Sequence, residues 1–279
     1  MRALNCTIKL FYPLLRISDW HRTHAALKIE HHIPHRMARR YFVDTLPLSG
    51  PANLHGEVVH HLVHVMRVSP GDHVTLGDGR GLECQARIEG HHKDTLHVTV
   101  AAHTAVVPPL LRVHVAFAPP RFTRAEWLFE HGTEVGVAVF HPLWTERTRP
   151  QGDRSDRWQK IVRAAAGQCD RAWLPEIRPL RSVREFLVDP KLPRDRRIAQ
   201  GGAPKPSLVS DGDVLLLVGP EGGLAPDEQT LALKNGFAPV GLGPNVLRTE
   251  TAALVGASAL LLFTPGTHVS GTKADSAKL

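Results

Sequence analysis

Asp213-Val-Leu-Leu-Leu-Val-Gly-Pro-Glu-Gly-Gly-Leu224 is the stretch of sequence that decides the fold. Its apolar run, residues 214–218, ends abruptly in a turn rich in glycine and proline. Such a run, bounded by turn residues, is typical of a strand that is buried on both faces of a sheet. Pro226-Asp-Glu228 follows, which is the pattern of the first turn of a helix. Asn235-Gly236 then predicts the end of that helix.

The chain next repeats the same pattern. Pro239-Val-Gly-Leu-Gly-Pro-Asn-Val-Leu-Arg-Thr-Glu-Thr251 predicts a second strand and glycine loop, and a helix of small residues follows at 252–263. Glycine-rich loops at the carboxyl ends of strands are where open α/β sheets bind ligands. Neither loop has the lysine of a phosphate-binding loop, and Val246 replaces the third glycine of a dinucleotide fingerprint. The pattern favours a backbone cradle for an adenosine-like ligand without a phosphate tail.

Both loops resemble the signature of the SPOUT methyltransferases, and more narrowly that of the RsmE family, whose members methylate N3 of a uridine in 16S ribosomal RNA. The resemblance covers roughly residues 38–264, and the two C-terminal loops are its most specific part. Upstream blocks keep the order and spacing of the family: His114-Val-Ala-Phe-Ala-Pro-Pro120, Glu134-Val-Gly-Val137, Pro142-Leu-Trp-Thr-Glu-Arg147, Trp158-Gln-Lys-Ile161, Gln168-Cys169 and Pro175-Glu-Ile177.

The resemblance implies an α/β protein with two parts. A PUA-like, RNA-binding β-barrel is expected over residues 37–104, and a SPOUT methyltransferase domain with a C-terminal trefoil knot over residues 111–264. Strands alternate with helices in the second part, which independently predicts a parallel sheet covered on both sides. The family further implies S-adenosyl-L-methionine as cofactor, 16S rRNA within the small ribosomal subunit as partner, and a homodimer.

The resemblance also implies which residues bind the cofactor and which catalyse the methyl transfer. Removing the N3 proton spreads negative charge over the two uridine carbonyls, and a fixed guanidinium would stabilise that charge. Arg248, directly after the second glycine loop, is therefore the first catalytic candidate, and Glu221 is the second, as proton acceptor or as a partner that orients Arg248. The alternative for Arg248 is an ion pair with Glu221 or Glu250 that braces the loops, and Glu134 is expected to brace the site from the first helix. The expected cofactor-binding residues are Leu217, Gly219, Pro220, Gly222, Gly223, Leu242, Gly243, Pro244, Leu247 and Thr249.

The expected barrel shows short alternating strands around residues 74–76, 84–88 and 96–100, and a helix at 56–68. Candidate RNA contacts are Arg39, Arg40, Tyr41 and Arg67, through phosphates and base stacking. The alternative is that the aromatic ring packs in the core and that the arginines are solvated. His60 and His64 share a helix face without a nearby cysteine or carboxylate, so no metal is predicted.

The remaining segments and the composition set wider limits. Residues 1–36 carry six Lys and Arg against two Asp and Glu and are interpreted as a disordered upstream extension, with a disordered tail at 265–279. Residues 189–212 lack a clear pattern beyond a possible strand at 197–199 and are expected to be a flexible insertion. The three cysteines have no Cys-x-x-Cys spacing, so neither disulfides nor a zinc site is indicated, and a location in the reducing cytoplasm is predicted. No apolar run reaches the roughly twenty residues of a membrane span. A catalytically inactive RNA-binding module and a nicotinamide oxidoreductase remain as alternative functions.

Overall fold

The computed structural model describes residues 40–148 and 154–262. The predicted upstream extension (1–36), Arg39 and the predicted tail (265–279) lie outside the described residues. The described part contains two β-sheets, one formed before residue 106 and one formed after it.

The first sheet has five strands in the order β1-β3-β4-β5-β2. Strand β1 pairs with β3 in parallel, and the other neighbours are antiparallel. The helix predicted at 56–68 is shorter than expected, since α1 continues into only one π-helical turn, His61–Val65. The elements are β1 Arg40–Phe42, β2 Gly50–Leu54, α1 Glu57–His60, β3 His73–Gly77, β4 Leu82–His92 and β5 Thr95–Ala105.

The second sheet has the order β12-β10-β11-β6-β7-β8, with β9 also paired to β7, and every pairing is parallel. The parallel sheet predicted from alternating strands and helices is confirmed. Its strands are β6 Leu111–Phe117, β7 Val139–Trp144, β8 Glu176–Ile177, β9 Arg181–Ser182, β10 Asp195–Ala199, β11 Gly212–Val218 and β12 Phe237–Val240. Its helices are α2 Phe122–Val135, α3 Ser155–Gln168, α4 Val183–Leu187, α5 Pro226–Lys234 and α6 Thr249–Leu262.

Strand β11 explains why its sequence is apolar without alternation. Leu216 faces a core that contains side chains of α2, α3 and α6, whereas Leu215 and Leu217 face a second core with α4 and α5. All residues from 214 to 218 are buried, because helices cover both faces of the sheet. This is the burial expected of a central parallel strand.

The expectation of a flexible insertion at 189–212 is wrong for its first half, because β10 lies between β11 and β12; the possible strand at 197–199 is confirmed as part of β10. Its sequence, Asp-Arg-Arg-Ile-Ala, does not read as a buried strand. Arg197 is nevertheless only 4% exposed, since its Nε and Nη2 bind the Asp195 carboxylate and its Nη1 donates to the Ser207 carbonyl at 2.6 Å. A charge neutralised and hydrogen-bonded in this way can occupy a position where periodicity predicts an apolar residue.

The first sheet packs directly on the segment that follows α3. The Leu174 amide donates to the Gly79 carbonyl at 2.9 Å, and the Trp173 indole donates to the Val106 carbonyl at 3.1 Å. A Cβ on Gly81 would lie 2.4 Å from the Trp173 ring, so this approach requires glycine. Backbone hydrogen bonds and close packing therefore join the two sheets.

Candidate active site

The two glycine loops lie at the same edge of the second sheet. Strand β11 ends at Val218 and β12 ends at Val240, and because all strands are parallel their carboxyl ends point the same way. The Thr249 hydroxyl, at the start of α6, donates to the carbonyl of Gly219 at 3.0 Å. The loop after β11 is therefore tied to the end of the loop after β12.

The first loop, residues 219–225, is held from outside by side chains. The Glu228 carboxylate accepts from the Ala225 amide at 2.9 Å and from the Glu146 amide at 2.8 Å. Arg147, which follows β7, donates to the Gly222 carbonyl. Gly223 has φ 70°, a conformation that residues with a Cβ adopt at a cost. These contacts fix the course of the loop, together with the Gly223 amide, which donates to the Pro220 carbonyl at 2.7 Å.

The second loop, residues 241–248, passes close to the segment that follows β10. The Gly241 amide donates to the Pro204 carbonyl at 2.7 Å, and a Cβ on Gly241 would lie 2.1 Å from the Ala203 carbonyl oxygen. Leu242 and Leu247 pack partly on the apolar core. Over the described residues, the amides of Leu242, Gly243 and Leu247 have no protein acceptor. Free backbone donors on an apolar bed suit a purine nucleoside.

The structure brings all ten predicted cofactor residues into these two loops or their immediate ends. Leu217, Pro220 and Thr249 are buried, whereas Gly222, Gly223, Gly243 and Pro244 are exposed. Gly219, Leu242 and Leu247 are half-buried. Their contact with a cofactor stays a prediction, and the free amides fit it.

Arg248 is exposed and makes neither a side-chain hydrogen bond nor an ion pair within residues 40–148 and 154–262. The two carboxylates considered as its bracing partners belong to another arginine. Arg124 Nη1 lies 3.5 Å from Glu221 Oε1, and Arg124 Nε lies 3.7 Å from Glu250 Oε1. Arg248 is therefore free to meet a substrate, while Arg124 links the first loop to α6.

Sequence reasoning missed Arg124 and the role of Glu250. The available signal was position: Arg124 lies in the first turn of α2, directly after β6, the strand that neighbours β11. Glu134 was assigned to the same site, and this is wrong. It lies in the last turn of α2, a helix of 14 residues and about 21 Å, and its carboxylate contacts His131 at 2.7 Å.

Comparison with known proteins identifies the family. Residues 107–261 match the model of an RNA methyltransferase domain, and residues 54–101 match that of an RNA methyltransferase PUA domain. Ribosomal RNA small subunit methyltransferase E of Mycobacterium bovis is 34% identical over 248 residues, which is 82% of this chain and 93% of the relative. This chain belongs to the small subunit methyltransferase E family. The Bacillus subtilis member is 29% identical over 80% of this chain and 95% of its own length.

Solved structures of methyltransferases agree with the fold. The methyltransferase E of Neisseria gonorrhoeae, bound to S-adenosyl methionine, is 28% identical with a TM-score of 0.74, over 81% of this chain and 98% of that one. A methyltransferase of Legionella pneumophila in complex with the same cofactor is 31% identical with a TM-score of 0.73, over 81% of this chain and 97% of that one. The RsmE resemblance read from the two loops is thereby confirmed.

Three of the four residues predicted to contact RNA are described by the structure, and they differ in how exposed they are. Arg40 is only 8% exposed. Its guanidinium binds the Glu83 carboxylate at 2.7 Å and reaches Asp170 after α3, so Arg40 joins the two sheets instead of presenting a free charge. Tyr41 is half-buried against the core of the first sheet. Arg67 is exposed, with φ 53°, and Arg39 lies outside the described residues.

The first sheet and its loops do not form a strongly cationic surface. Residues 40–105 contain five Lys and Arg against seven Asp and Glu, together with nine histidines. Exposed arginines instead surround the carboxyl edge of the second sheet, where the glycine loops lie: Arg121, Arg124, Arg147, Arg157 and Arg248. Arg124 and Arg157 are paired with carboxylates, so an anionic ligand approaching the loops meets mainly Arg121, Arg147 and Arg248, which make no ion pair over the described residues.

The histidines of α1 and of the π-helical turn that follows it are not part of a cluster of described residues that could hold a metal ion. The His60 and His64 rings lie 4.7 Å apart between centroids, and the described ranges contain no group of three His, Cys, Asp or Glu placed to hold a metal. Cys84 and Cys169 are both free thiols. Across the part of the chain that the structure describes, no helix has the length and apolarity needed to cross a membrane.

Proposed function

We propose that this chain transfers the methyl group of S-adenosyl-L-methionine to N3 of a specific uridine in 16S rRNA. The observation that carries the proposal is the pair of tied glycine loops, with free backbone donors, next to an exposed and unpaired Arg248. Family members have been solved with this cofactor bound, and relatives carry the name of a small subunit rRNA methyltransferase.

The bound cofactor supplies an electrophilic methyl group on a sulfonium. The protein has to orient the uridine, help its N3 proton to leave and stabilise the resulting anion. Arg248 can place a positive charge beside the uridine carbonyls, where negative charge develops. Glu221 is half-exposed and sits on the first loop, so it can accept the N3 proton or pass it to water. N3 then takes the methyl group, and the carbon–sulfur bond breaks to leave a neutral thioether.

In the proposal the two domains, residues 37–104 and 111–264, have different tasks. The second domain holds the cofactor, and the arginines at its carboxyl edge attract the RNA backbone through charge. The first domain, a PUA-like barrel in the proposal, adds contacts that orient the RNA, with Arg67 as its exposed candidate. Because hydrogen bonds and packing join the two sheets, both domains can meet one RNA molecule in a fixed geometry.

The proposal includes the trefoil knot of the family. The segment after β12 contacts Ala203 and Pro204, which belong to the connection between β10 and β11. From the edge of the sheet the chain then returns to its centre, where α6 packs against α2, β6 and β11. In the proposal, this return passes beneath the 200–211 connection and threads the C-terminal segment through a loop. This threading holds the second glycine loop against the first.

Exposed apolar side chains on α2 and α6 support the proposed homodimer. Trp127 and Val255 are each 39% exposed, although α2 and α6 pack together and bury most of their apolar residues. Val246, on the second glycine loop, is fully exposed. A second copy of the chain would remove these groups from water next to the cofactor site.

Mass mapping of rRNA tests the activity. In a strain that lacks the gene, the 16S rRNA should lose one N3-methyluridine, and the wild-type gene should restore it. Purified protein with labelled cofactor should then distinguish assembled small subunits from naked 16S rRNA as substrate. Intact methylation in the deletion strain, combined with no binding of S-adenosylhomocysteine or NAD by the purified protein, would favour the catalytically inactive RNA-binding alternative.

A further inference from the structure

Glu250 has a carboxylate oxygen that the fold leaves without a partner. The residue lies in the first turn of α6 and is only 7% exposed. Its Oε1 is 3.7 Å from Arg124 Nε, whereas its Oε2 is buried and has no hydrogen-bond partner among the described residues. A buried polar atom without a partner costs free energy, and native proteins rarely keep one without a reason.

The position of this oxygen relates it to the cofactor loops. Thr249, the preceding residue, donates to the Gly219 carbonyl of the first loop. Arg248, at the end of the second loop, lies two residues before Glu250. The unpartnered oxygen therefore lies on the α6 turn that both loops meet.

The charge around Glu250 is unbalanced. Glu221 and Glu250 share the single guanidinium of Arg124, at 3.5 and 3.7 Å. No other ion pair of either carboxylate occurs over residues 40–148 and 154–262. Two carboxylates with one cation leave one negative charge, and the positive end of the α6 dipole offsets it only in part. The free oxygen of Glu250 therefore lacks a cationic donor, because Arg124 contacts the other oxygen and the exposed Arg248 makes no ion pair over the described residues.

We propose that the free oxygen of Glu250 accepts a hydrogen bond from the α-ammonium group of S-adenosyl-L-methionine. The ammonium is the group of the cofactor that carries both a positive charge and N–H donors, whereas the sulfonium has no donor and the adenine and ribose donors are neutral. Charge-assisted hydrogen bonds are stronger than neutral ones, most of all where water is excluded. This assignment rests on the proposed function, since it takes the two loops as the cofactor site.

Calorimetry on the full-length Glu250→Gln variant tests the assignment. Glutamine keeps the shape and one acceptor oxygen but removes the charge. We expect the affinities for S-adenosylmethionine and S-adenosylhomocysteine to fall together by about 10- to 100-fold, the range for a hydrogen bond to a charged group. Methylthioadenosine lacks the amino-acid part, so its affinity should be the same for variant and wild type. The matched control is Glu130→Gln, which removes the same charge from an exposed position on α2.

Thermal unfolding without cofactor gives a second readout. Because Glu250→Gln removes a buried charge with an unpartnered oxygen, we expect the free variant to be as stable as the wild type or more stable. A variant destabilised without cofactor, with equal losses for all three ligands, would make Glu250 a support of the loops and overturn the proposal. Unchanged cofactor affinity with lost turnover would overturn it as well, because Glu250 would then serve the uridine. If the wild type bound none of the three ligands, the proposed function itself would fail.

Discussion

The hydroxyl of Thr249 donates to the carbonyl of Gly219 at 3.0 Å and thereby joins two loops that are thirty positions apart in the chain. Thr249 is only 2% exposed, so water cannot replace this hydrogen bond easily. This hydrogen bond helps to fix the relative position of the two loops.

Replacing Thr249 by valine should loosen this link. Valine has nearly the same shape but cannot donate, so the Gly219 carbonyl loses its partner at a cost of about 1 kcal/mol. We expect cofactor affinity, measured by calorimetry, to fall roughly five- to tenfold while the chain stays folded. Thr251→Val is the matched control, since Thr251 is half-buried and makes no such hydrogen bond. Equal effects of the two substitutions would show that the link is irrelevant to binding.

Gly223→Val should abolish cofactor binding and leave the fold intact. Gly223 has φ 70°, and a β-branched residue is strained there by about 1–2 kcal/mol, so the loop has to move. Space is not the limit, because a Cβ at Gly223 would meet nothing within 4 Å. Gly90→Ala, on β4 of the first sheet, is the control, since its Cβ would meet nothing within 4 Å and its φ is not positive. Unchanged affinity of Gly223→Val by calorimetry would remove this loop from the cofactor site.

Arg248→Ala should slow methyl transfer about 10²- to 10³-fold, the scale seen when one preorganised stabilising donor is removed. Cofactor affinity should change far less, because Arg248 braces neither glycine loop. The rate of the variant should rise more steeply with pH, since the uridine must lose its proton without electrostatic help. Single-turnover methylation at saturating cofactor, followed across pH, is the measurement. Arg248→Lys keeps the charge and should recover part of the rate, whereas a full rate in Arg248→Ala would end its candidacy.

Arg40→Ala should destabilise the protein. Its removal leaves Glu83, which is 17% exposed, without a cation at the junction of the two sheets. We expect a loss of about 2–3 kcal/mol in the free energy of unfolding, below the roughly 3–5 kcal/mol of a fully buried pair. Urea unfolding measures it. Arg67→Ala, an exposed control, should leave stability within about 0.5 kcal/mol and should weaken RNA binding instead. The reverse pattern would restore Arg40 as an RNA contact.

Stability should fall in mild acid because of two stacked histidines in the second sheet. Burial, the largest cause, lowers the pKa of His114 to about 4 and that of His141 to about 3, although Asp213 raises the former. The Asp213 carboxylate lies 3.6 Å from His114 but also 3.5 Å from Arg112, and burial prevails because His114 is only 7% exposed.

The sign of this effect follows from proton binding. Below about pH 6.5, the ordinary histidine pKa, His114 and His141 bind protons in the unfolded chain but stay neutral in the folded chain. The two neutral histidines therefore contribute to the free energy of unfolding in full above about pH 6.5. This contribution is lost as the pH falls toward 4 and then 3, by a few kcal/mol in total. Urea unfolding of His141→Phe between pH 7 and pH 4.5 should show a weaker pH dependence than that of the wild type. An identical slope would exclude the pair as its cause.

Some of the fold and the site could be predicted from the sequence alone. Residues 214–218 predict a buried strand because helices cover both faces of a parallel sheet, which demands a continuous apolar run. The glycine loops could be predicted for a related reason. The positive φ of Gly223 and the close approach of Ala203 to Gly241 strongly favour glycine at these two positions. Constraints that act on one residue or on its neighbours in the chain leave such local marks.

The tertiary structure alone decided the charged contacts. Arg197 sits in a buried strand because Asp195, two positions away, pairs with it and because the fold brings the Ser207 carbonyl, ten positions away, within hydrogen-bond distance. Arg40 is buried because Glu83 and Asp170 approach it, and Arg124 rather than Arg248 holds the two carboxylates near the loops. An ion pair depends on distance in space, and residues far apart in the chain carry no local mark of it. Sequence therefore determined where the loops are, whereas folding decided which arginine was left free beside them.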